Sequence, residues 1–247
     1  MTPRLQNKVC IITGTGSSMG RAAALKFAQE GATIVGCDVS APRASETETA
    51  VQAIGGNMIS LAPCDLTMPE GCGRLVNFTI ERFGRIDVLC INASMAYLEW
   101  RQGVPMEHCN NNYSQEYNLI HLMTGVARPH LKKTGGAVVN VGSIDGCVSP
   151  LPQGKTKQDI LDLNCHLALR DRDAGIRVNY ISPGKIGMFE TDPLLRDPFR
   201  GDPMGKVMLG RCGRPEEVVA VACFLASSEA SYITAADIKV DGGMTAW

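Results

Sequence analysis

Glycines 14, 16 and 20 fall within VCIITGTGSSMGRAAALKF, between an apolar run and an alanine-rich segment. Glycines so placed let backbone amides and the positive end of a helix approach a pyrophosphate with no side chain in the way. Ser18 and Met19 complete the turn and belong to the same candidate contact surface. Asp38 closes the run TIVGCD, where a carboxylate can accept from both hydroxyls of a ribose and would repel a 2′-phosphate. Together they favour NAD over NADP. Asp65, followed by Leu66 in APCDLT, could accept from an adenine amino group, and it is equally suited to capping the helix that follows.

These residues need a scaffold that brings their loops to one edge. Short apolar runs, KVCIIT, TIVGCD, MISLAP, IDVLCIN, AVVNVGS, IRVNYIS and DIKVDGG, alternate with longer stretches of helical periodicity. The runs are apolar throughout, as expected of strands covered by helices on both faces. Strand–helix alternation along the whole chain implies right-handed crossovers and an α/β fold with a doubly wound, mostly parallel sheet. The helical stretches are GRAAALKFAQEG, ASETETAVQAIGG, GCGRLVNFTIERFG, Tyr113 to Lys133, KQDILDLNCHLALRDRDAG and PEEVVAVACFLASSE, many ending in glycine. We expect one domain over residues 1–247, with a loop-rich lid at about 184–213, where Pro, Gly and Met interrupt the alternation.

Composition narrows the field of partners. A net charge of −1 and the absence of a basic block argue against nucleic acid. Apolar stretches are broken well short of the roughly 20 residues that a membrane helix needs, and the opening MTPRLQNK lacks a secretion-signal core. Ten cysteines without a CxxC pair fit a reducing, cytoplasmic setting, and the four histidines have no metal-ligand spacing.

The chain resembles the short-chain dehydrogenase/reductase family over nearly its whole length. The family's TGxxxGxG turn reads TGTGSSMG, with Ser18 at the usual middle glycine. NNAG reads INAS, keeping Asn92 and Ala93, while GIRVNYISPG (175–184) and the segment 209–243 match the last two strands and closing helix. In PGKIGM, Pro183, Gly184 and Ile186 match the stretch that meets the nicotinamide carboxamide, and Met188 replaces the usual threonine. The resemblance implies a seven-stranded Rossmann-type sheet, a dinucleotide across its C-terminal edge and a homotetramer.

It also implies a catalytic Asn–Ser–Tyr–Lys set, in which the phenol, of ordinary pKa about 10, passes the proton. Ser143 stands at the substrate-polarising serine. Counting back from GIRVN places the lysine at Lys157 and the tyrosine position at Gln153; counting forward from Ser143 gives Thr156 and Ile160. Neither register holds a phenol, and no tyrosine lies between Tyr117 and Tyr180. Glu116 stands at the family's Asn, with Asn118 two residues off. Gln153 can orient a substrate but has no proton to give near neutrality. Lys157 can hold the nicotinamide ribose without a phenol beside it. Asp145, Lys155 and Tyr97 are candidate replacements, though each is better read as a solvated loop residue.

Three functions follow. The first is an NAD(H)-dependent oxidoreductase acting on a carbonyl or alcohol with an altered tetrad. The second is non-redox chemistry on the same scaffold, such as dehydration, isomerisation or cyclisation. The third is a non-catalytic NAD-binding subunit. The apolar segment after Lys185 suggests a medium-sized apolar small-molecule substrate, and leaves open whether Cys109 or Cys147 lines its pocket.

Overall fold

The computed structural model describes residues 3–92, 106–144, 152–187 and 207–246, with backbone alone at 106–115 and 152–157. Strands β1 (Val9–Thr13), β2 (Thr33–Cys37), β3 (Asn57–Leu61), β4 (Val88–Ile91), β5 (Ala137–Val141), β6 (Arg177–Pro183) and β7 (Asp237–Val240) form one sheet in the order β3-β2-β1-β4-β5-β6-β7. Every pairing is parallel. Helices α1 (Ser18–Gln29), α2 (Ala41–Ala53), α3 (Pro69–Phe83), α4 (Met106–Thr134), α5 (Pro152–Asp171) and α6 (Pro215–Ala226) connect or flank them.

Strand pleating explains the two cores. Val9 and Ile11 of β1 point to one face, where they pack with residues of α3, α4 and α5. Cys10 and Ile12 point to the other, among the alanines and Phe27 of α1 and the apolar face of α6. Burial on both faces is why central strands such as β1 and β4 carry apolar residues in unbroken runs, whereas the edge strands β3 and β7 are largely half-exposed.

The helices differ from their sequence signals mainly at the start. α4 begins at Met106 rather than Tyr113, so the asparagine-rich MEHCNNNYSQEY is helical despite poor intrinsic propensity. α5 begins at Pro152 rather than Lys157, which takes the helix back over Gln153; proline is favoured at a first helical position because its missing N–H has no partner there anyway. Buried Asp171 ends α5 and is ion-paired with Arg128 of α4 and Arg170, which ties the two helices together. No helix among the described residues is long and apolar enough to cross a membrane.

The sheet order reverses direction between β1 and β4, since the chain winds outward to β3 and then returns to the other side of β1. A crevice opens at the carboxyl ends of strands at such a switch point. The site is built there.

Candidate functional site

The turn after β1 hangs from the end of β2. The amides of Gly14 and Thr15 both donate to the Cys37 carbonyl, at 2.9 and 3.1 Å. Gly14 has φ of +71°, a left-handed conformation that glycine adopts freely. A Cβ on Gly20 would stand 2.0 Å from the Gly14 carbonyl oxygen, so α1 can start this close to the turn only with glycine there. Ser17 caps α1: its hydroxyl accepts from the Gly20 amide at 3.0 Å and donates to the Gly14 carbonyl at 2.8 Å. Ser18 is the first helical residue and Met19 the second, which puts both at the positive helix end. A serine at position 18 is therefore accommodated as ordinary helix, half-exposed, with Met19 packed partly on the core beneath.

Asp38, just past β2, is fixed by two amides. Its Oδ2 accepts from Gly16 and its Oδ1 from Ser40, each at 2.8 Å. A Cβ at Gly16 would lie 2.8 Å from the Cβ of Arg43 and 2.9 Å from Asp38 Oδ2, so the turn, the carboxylate and the first turn of α2 are packed together around a missing side chain. A carboxylate has lone pairs beyond these two bonds, enough to accept from a ribose diol as well.

Asp65 is exposed and does not cap α3, whose N-cap is Met68. Instead its Oδ1 accepts from the Thr67 amide at 2.9 Å and the Thr67 hydroxyl at 2.8 Å. Leu66 beside it is buried in the core, and its carbonyl accepts from the Cys72 thiol at 3.4 Å. The Asp65 loop is seated against Asp38 through the Cys64 amide, which donates to the Asp38 carbonyl at 2.9 Å. Gly71 allows this: a Cβ there would be 1.7 Å from the Asp65 carbonyl oxygen.

On the other side of the switch point, Asn92 follows β4 and is buried. Its amide donates to Thr13 Oγ1 at 3.0 Å, and its Nδ2 to Ser17 Oγ at 3.2 Å and the Thr13 carbonyl at 3.4 Å. It stitches β4 to the glycine turn. Ser143 lies two residues beyond β5, half-exposed, and its amide donates to the hydroxyl of Tyr180 at 3.3 Å. Beyond β6, the amide of Gly184 donates to the Val240 carbonyl at 3.0 Å, and a Cβ there would meet Asp241 Cα at 2.7 Å. Ile186 is buried and bridges to Gly213. The amide of Gly213 donates to Lys185 and that of Gly187 to Gly213, both at 2.9 Å, so the two ends of the segment expected to form a lid are bonded side by side. Burial pushes the Lys185 amine below its ordinary pKa.

Gln153 and Lys157 lie one helical turn apart on α5 and so share a face. Ile160, the lysine position of the second register, is buried in the apolar core. Glu116 of α4 is buried, whereas Asn118 is exposed. Ala93, Tyr97, Asp145, Cys147 and Met188 lie outside the described residues, as do the side chains of Cys109, Gln153, Lys155 and Lys157. Among the described residues no cluster of His, Cys, Asp and Glu could hold a metal ion, and the cysteines are free thiols. Four residues that bond to or pack against the site's loops carry no site signal in the sequence reading: Ser17, Gly71, Gly142 and Tyr180. A serine just before an amphipathic run is a cap signal that was available for the first.

The turn, the helix end and the Asp38 acceptors fit a dinucleotide, with the pyrophosphate at α1 and a ribose at Asp38. Comparison with known proteins gives the family and the fold. A family model described as enoyl-(acyl carrier protein) reductase matches residues 14–245. L-fucose dehydrogenase of Bos taurus is 35% identical over 98% of this chain and 91% of its own. The structure of 7α-hydroxysteroid dehydrogenase complexed with NADH and 7-oxo glycochenodeoxycholic acid superposes with a TM-score of 0.85, at 25% identity over 98% of this chain and 96% of that one. L-sorbose reductase from Gluconobacter frateurii, complexed with NADPH and L-sorbose, gives 0.82 at 27% identity over 99% of both chains.

Proposed function

The chain belongs to the short-chain dehydrogenase/reductase family, and on that premise we propose that it is an NAD(H)-dependent oxidoreductase acting on an alcohol or carbonyl of a medium-sized apolar small molecule. The observation that carries the cofactor choice is the carboxylate of Asp38, held at 2.8 Å from the Gly16 amide where an adenosine ribose would lie. A fixed negative charge there accepts from two ribose hydroxyls and repels a 2′-phosphate. The relatives include an NADH and an NADPH complex, so the choice falls to this chain's own residues.

The bound cofactor supplies or takes up a hydride. The protein does the rest. Gly14, Gly16, Ser18, Met19 and Gly20 form the pyrophosphate surface, Asp38 and the Asp65–Leu66 loop receive the adenosine end, and Asn92, Ala93, Pro183, Gly184 and Ile186 line the nicotinamide end. Ser143 donates its hydroxyl to the substrate oxygen. Lys157 holds the nicotinamide ribose and lies one turn from Gln153, which orients the substrate; the burial of Ile160 favours this register over the one that puts the lysine position in the core. In this proposal the tetrad is altered, because α5 carries no tyrosine. The segment 184–213 acts as a lid, a role supported by its bonded ends at Lys185–Gly187 and Gly213, and the assembly is a homotetramer in the cytoplasm.

The missing phenol on α5 favours one second reading, a non-redox reaction such as dehydration, isomerisation or cyclisation on the same scaffold. The two are separated by following NADH absorbance and product together over a carbonyl panel. The oxidoreductase consumes one NADH per product. Product without consumption selects the second reading, and tight NAD binding with no product from any compound contradicts both.

A further inference from the structure

We propose that Tyr180 is a positioning residue for Ser143: its phenol, carried on β6 and passed beneath Gly142, fixes the backbone from which the serine hydroxyl is aimed. The proposal rests on the catalytic reading of Ser143 given above.

Tyr180 is fully buried and lies opposite Asn140 in the β5–β6 register, yet its hydroxyl reaches Ser143, three residues further along the chain and past the end of β5. The route exists because position 142 is glycine. A Cβ there would stand 1.5 Å from the Tyr180 hydroxyl oxygen, so any other residue would displace the ring or the strand. The pair is complementary: a large side chain on one strand and an absent one on its neighbour.

The hydroxyl also supplies an acceptor where the described β4–β5 pairing has ended. The amides of Gly142 and Ile144 donate to β6, at the carbonyls of Ile181 and Pro183. The amide of Ser143 between them therefore faces the opposite edge of β5, toward β4. The β4–β5 ladder, however, ends at Ile91 opposite Asn140. Ser143 is thus beyond the end of the β4–β5 ladder among the described residues, and the Tyr180 hydroxyl accepts its N–H at 3.3 Å. A phenol buried in an apolar core is costly unless hydrogen-bonded, and phenylalanine would fill the same space without that cost. Because Tyr180 has no exposed surface, it acts through Ser143 and not on the substrate.

The test is a double-mutant cycle with Tyr180→Phe and Ser143→Ala in the full-length protein, read by kcat for NADH-dependent carbonyl reduction, by NAD binding and by hydrogen exchange of the Ser143 amide. Tyr180→Phe is expected to lower kcat by about tenfold with NAD affinity unchanged, to cause no further loss in the Ser143→Ala background, and to speed exchange at the Ser143 amide while β1 amides stay protected. Losses that multiply across the two variants, or Ser143 exchange that does not change, overturn it. The exchange measurement needs no turnover, so a protein that reduces no carbonyl would sink the catalytic reading of Ser143 and still leave the Tyr180 contact decided. Should Tyr180→Phe fail to fold, Tyr180 replaced by a fluorinated tyrosine keeps the shape, weakens the acceptor and gives the same outcomes at smaller amplitude.

Discussion

The carboxylate of Asp38 accepts from the amide of Gly16 at 2.8 Å, so one side chain from the end of β2 is bonded directly to the glycine turn that follows β1. Position and charge are coupled at this point: in the proposed function, the group that would select the ribose also holds the turn that would meet the pyrophosphate.

Asp38→Asn retains an oxygen acceptor and removes the charge. Affinity for NADH should fall by about tenfold, while affinity for NADPH is held or improved, since charge-assisted hydrogen bonds are roughly twice as strong as neutral ones and the repulsion of a 2′-phosphate is gone. Fluorescence titration with both nucleotides measures it. An unchanged preference for NADH would show that some other group discriminates.

Two glycines in helices should respond to alanine with opposite signs. Gly20→Ala places a methyl 2.0 Å from the Gly14 carbonyl; it should cost about 2 kcal/mol or more and abolish NAD binding together with turn geometry. Gly125→Ala, in α4, meets nothing within 4 Å. It should stabilise by about 0.5–1 kcal/mol, through lower backbone entropy in the unfolded chain, with NAD binding unaffected. Chemical denaturation of both variants checks the pair.

Acid should loosen the molecule over a defined window. Hydrogen bonds from the Arg4 side chain and amide, with Lys26, hold the Glu30 carboxyl at about 2. The Arg211 side chain does the same for Glu217, also at about 2, against a smaller opposing effect of burial and with help from the Arg214 amide. Both folded values lie below the ordinary 4.5, so the stabilisation is complete above about pH 4.5 and is lost as pH falls toward 2. For the Glu30 cluster, with its carboxylate still partly solvated, it amounts to about 1 kcal/mol. Glu30→Gln should lower stability at neutral pH and flatten the decline between those pH values; a parallel decline in the variant would exclude the pair as its source.

The centre of the sheet was legible because strands such as β1 and β4 are buried on both faces and so read as unbroken apolar runs, while the half-exposed edge strands β3 and β7 carry Asn57, Asp237 and Lys239 among their apolar residues, and α1, α3 and α6 carry clear helical patterns. The glycine turn and Asp38 were legible because the chemistry of phosphate and ribose recognition demands specific residue types at short spacing. Less was visible where distant segments decide. The helical start at Met106 depends on packing that overrides a run of asparagines. Asp65 looked like a helix cap from its place before α3, but the chain turns at Thr67 first. Tyr180 read as one more apolar strand residue in IRVNYIS, since its reach to Ser143 depends on a register with β5 and on the missing side chain of Gly142, and neither leaves a local pattern.

Hydride transfer itself is open to one direct measurement. NADH carrying deuterium at its transferable position is incubated with the protein and a panel of medium-sized apolar ketones and aldehydes, and the products are analysed by mass spectrometry. An oxidoreductase of this family gives an alcohol with one deuterium for each NADH consumed. Product with no deuterium and no NADH consumed would contradict it.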